Sequence, residues 1–391
     1  MALMKILSSA RIIMISIGAL FLLLWGAESV HAADTVSTAA PPVEYINGTV
    51  LDVKPLAEFA GRLHVQAGAQ GDIATVKLTS GAEEGTEVLS LIRQSTIPGV
   101  ASIHPSPGDR VIMIKSQIAG HTQYDVADYQ RINYVYALIG LFILALLAVG
   151  RMTGLKCILV IAFALLIILK WMIPAVIENR IAIIPATFAV SISIAVITLI
   201  TVSGWNPKTW GAVLGAFGGV AIAGLLGKIS IVLMHLSGLY TDETMMLHAT
   251  YLPNLNFQDI LFAGLILGAL GAVMDVAISI ASAQYEIHQT KPGLSFSHLF
   301  ASGLHVGKDI LGTDSYTLIL AYLGGFLPLI LLFASQSGLT LTQIGNMGLI
   351  ASEVVRALAG SIGLICTIPV TAAITSFFLT AFRKPAVISN S

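Results

Sequence analysis

Seven long, predominantly apolar stretches, at residues 133–150, 157–176, 181–203, 210–236, 258–284, 314–335 and 349–382, fill about two thirds of the chain after residue 132. Each matches or approaches the ~20 residues an α-helix needs to cross the hydrocarbon core of a bilayer. A water-soluble fold would have to wrap so many stretches in charge, and the charge is missing. Charged residues make up 10% of the 391 and mean hydropathy is +0.87, where ordinary soluble domains carry roughly a quarter charged residues. The expectation is an α-helical polytopic membrane protein with seven transmembrane helices, or eight if an N-terminal leader is retained.

Before the apolar block the pattern differs twice. Residues 1–32 place Lys5 and Arg11 ahead of an apolar run from Ile12 to Trp25, then Val30-His31-Ala32 with small residues at −3 and −1. That arrangement reads as a signal peptide or, uncleaved, as a membrane anchor. Residues 33–131 are the most densely charged part of the chain: the charged residues divide as 3 in 1–32, 18 in 33–133 and 20 in 134–391. Short β-type runs broken by Gly, Pro and Asp occur at Tyr45–Val53, Leu63–Gln66, Ile73–Thr79, Val88–Ile92 and Val111–Lys115. They suggest an extracytoplasmic β-barrel or sandwich-like domain of six or so strands. His64, His104 and His121 read as surface residues of that domain. The multi-span domain then occupies 132–384 and a cytoplasmic tail 385–391.

Orientation follows from the joints. With 33–131 outside, the inner joints carry Arg151, Lys156, Lys208, Lys291, Lys308, Arg383 and Lys384, while the outer ones carry Arg180 with Glu178, Asp242, Glu243 and Asp259. This asymmetry obeys the positive-inside rule and agrees with an exported leader. The C-terminus is therefore expected on the cytoplasmic side of the membrane.

The fifth stretch is the most informative. Steps of three or four from Gly264 visit Gly268, Gly271, Asp275, Ser279, Ser282 and Glu286, so one helical face is glycine, small hydroxyl or acid while Leu265, Leu267, Leu270, Val273, Val276 and Ile280 cover the rest. An Asp at the bilayer centre costs roughly 2.5 to 3.5 kcal/mol on insertion scales, so Asp275 is expected to be paired, protonated or near water. The functional reading is a transport or ion site at Asp275, Ser279, Ser282 and Glu286, with Asp275 in the cytoplasmic half. The competing reading is a structural acid hydrogen-bonded between packed helices. Gly264, Gly268 and Gly271 are read as a close helix contact. Gly211, Gly215 and Gly219, continued by Ala223 and Gly227 at a strict four-residue step, form a second small-residue ridge on the fourth stretch.

Basic groups also enter the apolar stretches. Lys170 and Lys228 lie within them, and Arg356 follows Glu353 by three residues on one face, which predicts an internal ion pair. Lys228, Glu353, Arg356, Lys308 and Asp309 are candidate supporting polar residues. Ser295–Leu311 reads as an amphipathic helix lying at the cytoplasmic interface, a candidate gate. The outer loop 237–258 has Tyr240, Asp242, Glu243 and His248 without any metal-ligand spacing, and Asp242-Glu243 suits the start of a short helix.

Several function classes fall away. A net charge of −1 excludes a strongly basic nucleic-acid binder. Gly227-Lys228 is followed by Ile229 and fails the phosphate-loop motif, and no HExxH or GxSxG occurs. Cys157 and Cys366 both lie in apolar stretches. The expectation is thus no enzyme, no cofactor and no metal. Expected partners are the lipid bilayer, a small solute or ion, and another membrane protein in a homo- or hetero-oligomer.

The stretch Gly271-Ala-Val-Met-Asp275-Val-Ala-Ile-Ser279-Ile-Ala-Ser282-Ala-Gln-Tyr-Glu286 resembles the signature of the YibE/F-like family of bacterial multi-pass membrane proteins. Ser302-Gly303, Gly307-Lys308-Asp309-Ile310, Thr317 to Tyr322 with Gly324, and Glu353-Val-Val-Arg356 leading to Pro369-Val-Thr371 extend the likeness over most of 45–382. The resemblance implies an exported domain followed by a multi-span block. Two functions fit: a permease using Asp275, with Pro174, Pro328 and Pro369 bending the spans, or a non-transporting scaffold or envelope sensor whose exported domain binds a partner. A membrane hydrolase is a third class, for which the sequence offers one well-placed aspartate and not two.

Overall fold

The computed structural model describes residues 44–55, 71–93, 103–118, 121–336 and 338–381. The leader 1–32, the strand expected at Leu63–Gln66, His64 and the tail 385–391 lie outside the described residues. The described chain divides into two compact units at Ala145/Leu146, within the first helix.

In the first unit, β1 (Glu44–Pro55), β2 (Gly71–Leu78), β3 (Glu87–Arg93), β4 (Arg110–Ile118) and β5 (His121–Tyr129) form one antiparallel sheet in the order β3-β2-β1-β4-β5. Alternation sets the core face: Ile46, Gly48 and Val50 on β1, Val111 and Met113 on β4, with Val76, Leu78 and Ile92, are all buried. Gly48 is required there, because a Cβ would fall 2.4 Å from Val76 Cγ1. The backbone N–H of Val126 donates to buried Ser90 Oγ at 2.9 Å. This joins β5 to β3 side by side, so the sheet curls into a half-barrel. β5 was not expected, because His121–Tyr129 is too polar to show an apolar alternation.

The second unit is helical. α1 (Ile132–Gly150) begins in the first unit and buries none of its residues. α2 (Met152–Ile177) loosens into π-helical geometry at Ile167–Met172, before Pro174. α3 (Ile183–Ser203), α4 (Pro207–Leu233), the short α5 (Asp242–Met246) and α6 (Phe257–Thr290) follow. The chain closes with α7 (Phe296–Gly325), α8 (Leu327–Ser335), α9 (Leu341–Gly345) and α10 (Gly348–Ala381), which runs through Pro369.

Six helices are long and apolar enough to cross a membrane. A seventh crossing is obtained if α7 and α8, bent by 62°, count as one broken span. The break falls at Phe326, and Pro328 sits at the start of α8. Proline has no N–H to continue the preceding ladder, which suits it to a helix start. Ser295–Leu311 is a correction: it is the first half of the 30-residue α7, capped by Ser295 Oγ accepting from the His298 N–H. It is continuous with the rest of that helix and not a separate element.

The core of this unit is α4, α6 and α10, with α3 and α7 against them. The α4–α10 seam is the closest. Gly211, Gly215 and Gly219 face Thr375, Thr371 and Thr367 in antiparallel register, and Ala223 then faces Gly363. A Cβ built on the three α4 glycines would lie 2.3, 2.0 and 1.7 Å from the respective threonine Oγ1. Each hydroxyl oxygen therefore rests where a glycine Cα–H points, a geometry that supports weak Cα–H···O contacts. Thr371 and Thr375 Oγ1 are buried with no conventional partner among the described residues, while Thr367 Oγ1 donates to the Gly363 carbonyl at 2.8 Å.

Candidate functional site

α6 positions the candidate site. Its N-cap, Asn256, accepts from the Gln258 N–H at 3.0 Å, and Asp259 in the first turn pairs with Lys228 of α4 at 2.9 Å. That contact places Lys228 away from Asp275. From there Leu265, Ile266, Leu270, Val273, Val276, Ala277 and Ile280 are buried against the bundle. The opposite stripe is open: Gly264, Gly268, Gly271, Asp275, Ser279 and Glu286 are exposed and Ser282 is half-buried.

One expectation about this stripe is corrected. Gly264 and Gly271 do not seat a helix backbone. Among the described residues nothing lies within 4 Å of a Cβ at Gly271, and Gly264 has only Arg356 Nη2 at 3.8 Å. Gly268 receives a side chain instead, the hydroxyl of Tyr322 from α7, 2.5 Å from its would-be Cβ. The close seam expected of small residues is the one on α4. α6 extends to Thr290, so Asp275 lies about 27 Å from one end and about 22 Å from the other at 1.5 Å per residue, near mid-helix.

No described residue hydrogen-bonds or ion-pairs with Asp275. The charged group that acts on it through space is Asp314, on α7. Sequence reasoning missed Asp314, since it opens the expected sixth stretch and only the packing of α7 along α6 brings it within electrostatic reach of Asp275. Farther along the stripe, Glu353 and Arg356 of α10 form the expected ion pair at 3.0 Å, their side chains 13% and 27% exposed. Arg356 reaches Gly264, one turn from Tyr322 at Gly268. The structure therefore brings Asp275, Asp314, Tyr322, Glu353 and Arg356 to one glycine-floored furrow beside α6. Lys308 and Asp309 are exposed on α7 and are not bonded to Asp275. Among the described residues, no three His, Cys, Asp or Glu side chains come together as a metal site.

Gln284 was also missed. It is fully buried, and its amide nitrogen lies 2.8 Å from the Leu299 carbonyl, 3.1 Å from the Ala372 carbonyl and 2.9 Å from Ser376 Oγ. It ties α6, α7 and α10 together below Asp275. The signal was a lone amide within an otherwise apolar face. An apolar crevice lined by Phe188, Ser191, Val213, Phe217 and Leu270 lies on another face of α6 and carries no charged group.

No curated protein and no solved structure matches the chain. Residues 138–381, more than half the chain, match the family described as YibE/F-like protein. That match covers the furrow and the glycine–threonine seam, and with the long apolar helices it supports a membrane protein. The chain belongs to the YibE/F-like family.

Proposed function

We propose that the protein is a permease of the bacterial plasma membrane that moves a small solute or ion along the α6 furrow, coupled to a proton or cation at Asp275. The observation that carries this reading is Asp275 itself, an exposed carboxylate near mid-helix on a stripe of glycine and serine, with Asp314 of α7 near enough to act on it through space and no basic side chain bonded to either among the described residues. Charge in a bilayer is costly unless neutralised or hydrated, and a proton or cation arriving between the two acids neutralises it. Ser279 and Ser282 add hydroxyl oxygens along the same face. In this reading residues 33–131 are outside and the C-terminus inside, in keeping with the basic joints, and a leader directs the export.

The test is flux into proteoliposomes. Asp275→Asn, folded and inserted, should abolish proton-dependent uptake or efflux, and Asp314→Asn should weaken it. Normal flux in a well-expressed Asp275→Asn variant would remove the proposed role. One observation favours a second reading: Asp314 supplies the second aspartate that a membrane hydrolase needs. Peptide cleavage abolished by Asp275→Asn, without any flux, would favour it.

A further inference from the structure

α7 presents a stripe that the described residues leave uncovered. His305, Asp309, Gly312, Tyr316, Ile319 and Leu323 follow one another by steps of 4, 3, 4, 3 and 4 and are all exposed, Tyr316 at 54%. That is the spacing by which two α-helices pack along a left-handed seam. Gly312 at its centre leaves room for close approach: among the described residues nothing lies within 4 Å of a Cβ built there. Small residues are what membrane helices use where they meet. α10 lies against another side of α7, where Gly307 meets Ile368 and Leu318 meets Gly360.

Depth argues against lipid as the cover. α6 and α7 run antiparallel, with Gln284 at Gly303 and Gly268 at Tyr322. Beside Gln284, Tyr285 receives Lys208, whose Nζ lies 5.3 Å from the ring centre, and Trp205 meets Trp210 edge-on at 5.1 Å. Aromatic and basic groups of this kind belong at a headgroup boundary. Counted from Gly303 at 1.5 Å per residue, Asp309 stands about 9 Å inside that boundary and Tyr316 about 20 Å. Neither Asp309 nor its neighbour Lys308 has an ion-pair partner among the described residues. Unpaired charge facing hydrocarbon is costly, and a protein surface with matching groups removes that cost.

The match is present in the chain itself. A two-fold axis along the membrane normal keeps every residue at its own depth, so Lys308 of one copy and Asp309 of the other differ by only about 1.5 Å in height. In a seam of this spacing the residue just before a central position flanks the equivalent position of the facing helix. Two symmetric ion pairs result.

We propose that this stripe is the seam of a homodimer, with Lys308 of each copy paired to Asp309 of the other and Gly312 at the crossing. The second copy stands beside the α6 stripe and supplies an outer wall that the described residues of one chain do not provide. That this wall encloses a solute path rests on the permease reading, whereas the dimer does not.

Association is measured on the full chain in liposomes without any gradient, by energy transfer between labelled copies, so its result is independent of flux. The wild type should associate as a dimer. Lys308→Asp sets four acids at the seam and Asp309→Lys sets four bases; each should weaken association about tenfold or more. The double swap Lys308→Asp with Asp309→Lys should restore it. Gly312→Leu, whose Cβ has free space in one chain, should abolish association and leave the melting temperature of the monomer in detergent near wild type. With Cys157 and Cys366 replaced, Gly312→Cys and Ile319→Cys should form disulfide-linked dimers in native membranes under copper–phenanthroline. Leu225→Cys, 63% exposed on α4, should not. A monomeric wild type, links through position 225 alone, links to a different membrane protein alone, a double swap no better than either single one, or association untouched by Gly312→Leu would overturn the proposal. Dimers without solute flux would overturn the enclosed path and leave the dimer standing.

Discussion

The two glycine ridges look alike in sequence and are opposite in structure, so adding one methyl group to each separates them. In Gly215→Ala the new Cβ would lie 2.0 Å from Thr371 Oγ1, 2.7 Å from its Cβ and 2.9 Å from its Cα. The last is a backbone atom, so no rotamer change relieves the overlap and α4 must move away from α10. Overpacking a tight core costs about 1–3 kcal/mol, and a clash with backbone puts this site at the upper end, about 3 kcal/mol. In Gly271→Ala the methyl meets nothing within 4 Å among the described residues, and alanine is the better helix former by about 0.5–1 kcal/mol. For a unit of this size about 3 kcal/mol corresponds to a fall of roughly 6–12 °C in melting temperature. Thermal unfolding in detergent should therefore show Gly215→Ala far below wild type and Gly271→Ala at or slightly above it. Equal destabilisation by the two, or a neutral Gly215→Ala, would refute the assignment of the close seam to α4 and α10.

Gln284→Leu leaves the Leu299 and Ala372 carbonyls and Ser376 Oγ without the amide that now joins them. It should cost about 2–3 kcal/mol, seen as faster hydrogen exchange at the start of α7. In the half-barrel, Glu83 accepts from Lys115 Nζ at 2.7 Å and from the Tyr124 hydroxyl, and these contacts, Lys115 foremost, hold its carboxyl below the ordinary 4.5. A lowered carboxyl stabilises above its ordinary value and loses that contribution as pH falls through the lowered one. Exchange protection of the turn at residues 80–86, corrected for intrinsic rates, should thus fall below about pH 4.5 in the wild type and stay flat in Glu83→Gln. Lys115 is raised above 10.5 by the same contact, so its contribution should disappear only as pH climbs past that raised value.

Hydropathy is a local property, which is why the apolar runs locate the long helices to within a few residues. Their ends were less legible. Tyr285 to Thr290 and Phe296 to Asp314 are helical through packing and capping while too polar to continue a hydropathy signal, so α6 and α7 proved longer than their apolar cores. Periodicity showed that Asp275 shares a face with Gly264, Gly268 and Gly271, but a shared face has no direction until a neighbour is placed beside it. Gly211, Gly215 and Gly219 seat a helix because Thr375, Thr371 and Thr367 repeat on α10 at the same four-residue step. That matched step was available in the sequence and is the better sign of a seam than glycine alone. Asp314 and Tyr322 came to the furrow only through the antiparallel course of α7 along α6, which nothing in their own neighbourhood encodes.

The central claim is that the α6 stripe borders water and not lipid. With Cys157 and Cys366 replaced, single cysteines introduced by Gly271→Cys, Ser279→Cys, Val273→Cys and Ile280→Cys can be challenged in native membranes with a membrane-impermeant thiol reagent. Labelling at positions 271 and 279, with none at the buried positions 273 and 280, is the predicted result. An unreactive stripe at 271 and 279 in a folded protein would place it against lipid and contradict the account.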